Sequence, residues 1–233
     1  MAFNYSPKVI TNGLVLHLDA ANTRSYPGSG TAWNDLSRSG NNGTLVNGPT
    51  FSTNNGGNIV FDGVNDYVNC GIPSTLDFNG QKNITVSSWI YPTAATTSDA
   101  NIITKAYQWY LNFNNDRKIR VGFYTTTSAF TFFYSNSILT LNQWYNIVWT
   151  YNGTSIILYI NSTLDRTVSE TSNMAYGSGV NCNVLIGAEA NFCGSPQSRY
   201  FTGRISNTLV YNRALSSTEI LQNYNATKGR FGL

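Results

Sequence analysis

The sequence predicts an all-β protein: two antiparallel sheets packed face to face, with one short C-terminal helix. Three observations carry this. Runs of β-branched and aromatic residues recur between clusters of Gly, Asn, Pro and Ser. Within the runs apolar residues alternate with polar ones, the period of strands with one buried face. Only one stretch, near the C-terminus, carries a helix start signal. A chain of 233 residues has the length of one large sandwich, and no linker divides it, so a single domain over residues 1–233 is expected.

Strands are expected at residues 14–18, 58–61, 67–70, 84–91, 101–105, 109–113, 119–124, 130–135, 144–151, 155–161, 183–187 and 203–211. Ile119, Val121 and Phe123 form one apolar face, and Ile156, Leu158 and Ile160 another, with Tyr159 turned the opposite way. Asn152-Gly153 joins two runs with a strong hairpin signal. Asn114-Asn115-Asp116 joins two more. The Gly-, Asn- and Ser-rich residues 40–57 are expected as a connection between strands. Near the end, Ser216-Ser217-Thr218-Glu219 reads as a capping box. Leu215, Ile220, Leu221 and Tyr224 then supply an apolar stripe, and Gly229 is the expected terminator. Such a helix would cover a sheet edge or an open end of the sandwich.

Composition narrows the function classes. Charged residues make up 11% of the chain, against about 25% in an average globular protein. The polar surface must therefore come from Asn, Ser, Thr and Gly, which suits assembled or extracellular proteins. The net charge of +3 comes from scattered residues. Arg117-Lys118-Ile119-Arg120 alternates like a strand and is no basic stripe, so nucleic acid is not an expected partner. No stretch reaches the ~20 apolar residues of a membrane span, and the N-terminus shows no export signal. Of Cys70, Cys182 and Cys193, at least one is a free thiol. Cys182 and Cys193 flank a strand and could pair, but three buried, reduced thiols are the favoured expectation. His17 is the only histidine. That excludes a zinc site built from these ligands and leaves no ordinary Ser/His/Asp arrangement unless His17 alone is the base; a packed strand histidine is expected.

Several phrases resemble the laminin-G-like jelly roll of the concanavalin A-like lectin/glucanase superfamily. They are Gly13-Leu-Val-Leu-His-Leu-Asp19, Trp33-Asn-Asp-Leu-Ser-Arg-Ser-Gly-Asn-Asn-Gly-Thr-Leu45, and Ile59-Val-Phe-Asp-Gly-Val-Asn-Asp-Tyr-Val68. Ile84-Thr-Val-Ser-Ser-Trp-Ile-Tyr-Pro92 resembles the family's central tryptophan strand. Trp144-Tyr-Asn-Ile-Val-Trp-Thr-Tyr-Asn-Gly153 with Leu158-Tyr-Ile-Asn161 resembles its hairpin. Phe201-Thr-Gly-Arg-Ile205 and the segment from Tyr211 to Ile220 resemble its last strand and closing helical turn. The phrases stand in family order from about residue 13 to residue 225. The resemblance implies a two-sheet antiparallel jelly-roll sandwich of six or seven strands per sheet. The last strand departs from the pattern: Gly203-Arg-Ile-Ser-Asn207 lacks two acids found in many relatives.

Catalytic residues are not expected. Glycan hydrolysis needs paired carboxylates ~5–9 Å apart, and Glu170, Glu189 and Glu219 each lack an acidic partner two residues away. Glu189 follows a Gly-Ala turn and reads as solvated. Relatives on this fold often hold calcium on loops. Asp62, Asn65 and Asp66 supply three oxygen side chains in one turn, with Asp35 and Asn41 able to converge from a neighbouring loop, so they are the candidate calcium ligands. Their alternative role is to satisfy turn donors. Candidate contacts to a glycan or a protein are Tyr107, Trp109, Tyr110 and Tyr134, with Tyr124, Phe130 and Phe132 nearby; exposed aromatics mark either kind of partner. The resemblance to single-domain phage proteins implies a virion subunit, a capsid decoration or tail-fibre component assembled in the host cytoplasm. Its expected partners are other virion proteins, further copies of itself and cell-surface glycans. The rival expectations are an extracellular carbohydrate-binding or adhesion module and, third, a glycanase.

Overall fold

The computed structural model describes residues 7–95, 98–125, 129–177, 181–190 and 196–233. Among them, strand residues form two eight-stranded antiparallel sheets and a two-stranded ribbon. With strands numbered in chain order, the first sheet runs β14 (Thr163–Ser169), β13 (Ser155–Ile160), β12 (Tyr145–Tyr151), β7 (Ile84–Pro92), β18 (Thr202–Tyr211), β5 (Asn58–Asp62), β4 (Thr50–Ser52). In addition β1 (Leu14–Asp19) pairs with β18. The second sheet runs β11 (Phe130–Tyr134), β10 (Ile119–Tyr124), β9 (Trp109–Phe113), β8 (Ala100–Lys105), β15 (Val184–Ile186), β6 (Tyr67–Asn69), β3 (Gly43–Val46), β2 (Ala32–Trp33). The ribbon joins β16 (Glu189–Ala190) to β17 (Pro196–Ser198). Eight strands per sheet exceed the six or seven expected. The extra ones include β2, β3 and β4, which are two to four residues long. Residues 40–57 are therefore not a plain connection: β3 and β4 both lie within them.

Alternation builds the core. Ile147, Trp149 and Tyr151 of β12 face Ile119, Val121 and Phe123 of β10 and Trp109, Leu111 and Phe113 of β9 in one buried cluster. At the Asn152-Gly153 turn, Asn152 Oδ1 accepts from the backbone N–H of Thr154 and Ser155 at 3.0 and 2.9 Å. Gly153 takes the left-handed conformation (φ 86°) that only glycine adopts freely.

The helix α1 (Ser217–Thr227) begins with the expected capping box on Ser216 and Glu219. It covers the outer face of the first sheet, and not an edge or an open end. Leu215 and Ile220 pack with Leu14, Val148, Tyr159, Leu209 and Tyr211, the outward residues of β1, β12, β13 and β18. Gly229 is not the terminator. The chain continues through a 3-10 turn, Lys228–Phe231, and the left-handed residue is Gly232 (φ 73°). This extension carries Phe231 onto Trp89 and Trp144, at ring separations of 4.1 and 4.6 Å. Arg230 Nη1 reaches both oxygens of buried Asp19, at 2.8 and 3.0 Å.

Cys70 is a buried free thiol, whose pKa burial pushes up to about 12. Cys182 is disulfide-bonded, which corrects the expectation of three reduced thiols; Cys193 lies outside the described residues. His17 is half-buried beside Asn207, its pKa lowered by burial, and serves as a packed strand histidine.

Candidate functional site

Helix α1 covers the first sheet, so the functional face is sought on the second. Successive strand residues point to opposite faces. Since Trp109, Leu111 and Phe113 fill the core, Tyr110 and Asn112 turn outward. The register sets Tyr110 and Phe132 on either side of Gly122, Asn112 and Tyr134 on either side of Arg120, and Phe130 opposite Tyr124. The outer face of β9–β10–β11 is thus an aromatic field with one arginine in it.

A cavity of about 220 Å³ opens here. Tyr107, Tyr110, Tyr124 and Phe130 wall it. Tyr110 meets Phe130 edge-on at 5.2 Å, and Tyr124 lies 4.9 Å from Phe130. The polar lining is Arg120, Glu189 and Arg199. Glu189 is buried and paired with Arg199 at 2.9 Å, which corrects the expectation of a solvated glutamate: the ribbon folds it back over β8. Burial raises its pKa, while Arg199 and Arg120 oppose the rise. Burial also raises the pKa values of Tyr110 and Tyr124, so both hydroxyls keep their protons at neutral pH. Tyr110 Oη accepts the backbone N–H of Tyr107 at 2.8 Å.

Arg120 pairs with Asp99, and its guanidinium lies 4.8 and 4.3 Å from the rings of Phe130 and Phe132. Its Nε, and both amide atoms of fully buried Asn112 beside it, have no hydrogen-bond partner among the described residues. Leaving such a group unsatisfied costs about 1–3 kcal/mol. Two lining residues, Tyr107 (φ 59°) and Arg199 (φ 61°), hold left-handed backbone. For bulky side chains this is stored strain of the kind that gathers at ligand clamps. Gly177 makes room for Tyr124: a Cβ there would stand 2.0 Å from the tyrosine ring.

Of the expected contact residues, Tyr107 and Tyr110 line the cavity. Trp109 does not; it is fully buried in the core, because strand alternation forbids it the face that Tyr110 takes. Tyr134 lies on the same outer face beyond Phe132, 5.8 Å from its ring. Arg120, Glu189 and Arg199 were missed. The charges had no local motif, and only pairing across strands and the ribbon brings them together.

The candidate calcium ligands fall in two places. Asp62 Oδ1 accepts the Val64 N–H at 2.8 Å, and Asp66 Oδ2 accepts the Asp62 N–H at 3.0 Å; Asn65 donates its own N–H to Asp62 at 3.4 Å. Asp35 accepts from the backbone of His17, Ser37 and Asn41, at 2.8, 2.8 and 3.0 Å. These bonds shape two separate turns. Among the described residues no three His, Cys, Asp or Glu side chains gather as a metal cluster.

A family model for the concanavalin A-like lectin/glucanases superfamily, of laminin G type, matches residues 61–221. No curated protein matches the sequence. Solved structures share the fold at low identity. The binding domain of Paraclostridial Mosquitocidal Protein 1 is 16% identical at TM-score 0.72, over 93% of this chain and 52% of that one. The ligand-binding domain of botulinum neurotoxin serotype D, solved with N-acetylneuraminic acid, is 16% identical at TM-score 0.69, over 92% and 51%. The chain thus spans about half the length of these two toxin domains. Domain 4 of AbnA, an extracellular arabinanase from Geobacillus stearothermophilus, solved with arabinotriose, is 14% identical at TM-score 0.66, over 91% and 98%.

Proposed function

The chain belongs to the concanavalin A-like lectin/glucanase superfamily, and from that premise we propose that it is a non-catalytic glycan-binding module. The carrying observation is the cavity on β9–β10–β11: four aromatic walls around two arginines and one carboxylate. Aromatic rings offer flat apolar surface to a sugar face, while a few fixed polar groups read its hydroxyls. Glu189 accepts, and Arg120 and Arg199 donate. The neighbours solved with N-acetylneuraminic acid and with arabinotriose lend this reading support.

Hydrolysis would need a second carboxylate across the bond from the first. Among the described residues Glu189 is the one carboxylate lining the cavity, and Arg199 neutralises it. The disulfide at Cys182 favours an extracellular module over a virion subunit folded in host cytoplasm, because disulfides persist in oxidising compartments. A phage particle carrying the module would use the same cavity to hold surface glycans.

The test is a glycan array probed with the wild type, Tyr124→Ala and Glu189→Gln. Hits that both variants lose, with folding unchanged, support the reading. An array without hits, or hits indifferent to both substitutions, overturns it.

A further inference from the structure

The cavity does not end the aromatic field. Phe132, one strand position pair beyond Phe130, is 44% exposed, unusual for so large an apolar ring. It stacks on Phe130 at 5.1 Å with 22° between the planes, so the ring that walls the cavity continues into an open platform. The guanidinium of Arg120 lies against both rings and fixes them. Gly122 lies directly across from Phe132; a Cβ there would stand 2.7 Å from the Cβ of Phe132 and 2.1 Å from the Thr131 carbonyl oxygen. The missing side chain lets Phe132 settle onto the sheet, as aromatic residues do over strand glycines. Tyr134 extends the row, and β11 is the edge strand of its sheet, so nothing in the second sheet pairs beyond it.

The cavity is small, about 220 Å³, so a ligand longer than the part it encloses must run out over the neighbouring surface.

We propose that Phe132 is a second sugar subsite, so that this module binds an oligosaccharide whose end unit enters the cavity while the next unit stacks on Phe132. This rests on the glycan-binding reading. The occupant of the platform follows from its continuity with the cavity wall: a chain that leaves the cavity past Phe130 meets Phe132 next. Specificity then divides, with Glu189 and Arg199 reading the end unit and Phe132 reading chain length.

The experiment uses immobilised galacto-, xylo- and arabino-oligosaccharides and sialylated glycans, each as one-, two- and three-unit ligands, with titration calorimetry on any hit. Wild type is compared with Phe132→Ala, Phe132→Tyr and Tyr124→Ala. The proposal expects two- and three-unit ligands to bind about tenfold more tightly than the single unit, the gain of one good aromatic contact. Phe132→Ala removes that gain and leaves single-unit affinity unchanged, and Phe132→Tyr restores it. Binding that is the same for all lengths, or that Phe132→Ala leaves unchanged while Tyr124→Ala abolishes it, overturns the second subsite and leaves the cavity reading standing. No binding of any ligand by the wild type overturns the glycan reading, and the subsite with it. Phe132 is exposed, so matched melting curves are expected to show that its variants fold.

Discussion

Replacing Phe231 by alanine tests whether the C-terminal turn is a structural clasp. Phe231 is 8% exposed and lies between Trp89 and Trp144, at 4.1 and 4.6 Å. Truncating a buried phenylalanine costs about 3–5 kcal/mol, transfer and cavity together. Phe231 sits in a surface turn between exposed Gly229 and Gly232, where the chain can move in to fill part of the void, so the low end, about 3 kcal/mol, is expected. For a domain of this size each kcal/mol shifts Tm by about 2–4 °C, which gives a fall of roughly 6–12 °C. The assay is a thermal melt followed by far-ultraviolet circular dichroism, with near-ultraviolet signal reporting Trp89 and Trp144. Leu233→Ala, two residues on and 48% exposed, is the control and should melt with the wild type. A fall of less than about 3 °C for Phe231→Ala would refute the clasp, because the tryptophans would then be covered equally well without it.

Other outcomes follow from the same physics. Lys105 is fully buried, its amine bonded to the Cys182 carbonyl at 3.0 Å, and burial lowers its pKa to about 8 against the pull of Asp77. The unfolded chain, with its lysine near 10.4, holds the proton that the folded one releases above pH 8. Stability should therefore rise between pH 8 and about 9.5, and Lys105→Met should flatten that rise in urea titrations; an unchanged slope sinks the assignment. Gly177→Ala should displace the Tyr124 ring and weaken glycan binding by about tenfold or more with little change in Tm, whereas unaltered affinity would mean that Tyr124 does not touch ligand. The oxygens of Asp35, Asp62 and Asp66 already accept backbone donors, so millimolar calcium should leave Tm unmoved. A rise of more than about 5 °C, the effect of a site filled at a hundred times its Kd, would assign them as calcium ligands.

Much of this protein was legible in the chain. Strand alternation is a local property, so runs such as 109–113 and 119–124 declared their extent, and Ile119, Val121 and Phe123 their buried face; the same alternation with Leu111 and Phe113 puts Trp109 in the core, against the contact role expected of it. The capping box at Ser216 and Glu219 is equally local and named the helix start. Short strands such as β2 and β4 carry too few residues to show a period, and their existence depends on neighbours far away in the chain. The face that α1 covers was likewise hidden, because one apolar stripe fits an edge, an end or a sheet face, and only Val148, Leu209 and Tyr211 decide among them. The cavity shows the same division. Its tyrosines stood out in a run dense in aromatics, but Arg120, Glu189 and Arg199 come from β10, the ribbon and the loop after it. A charge has no periodicity to betray it; what it does depends on which opposite charge and which ring the fold sets beside it.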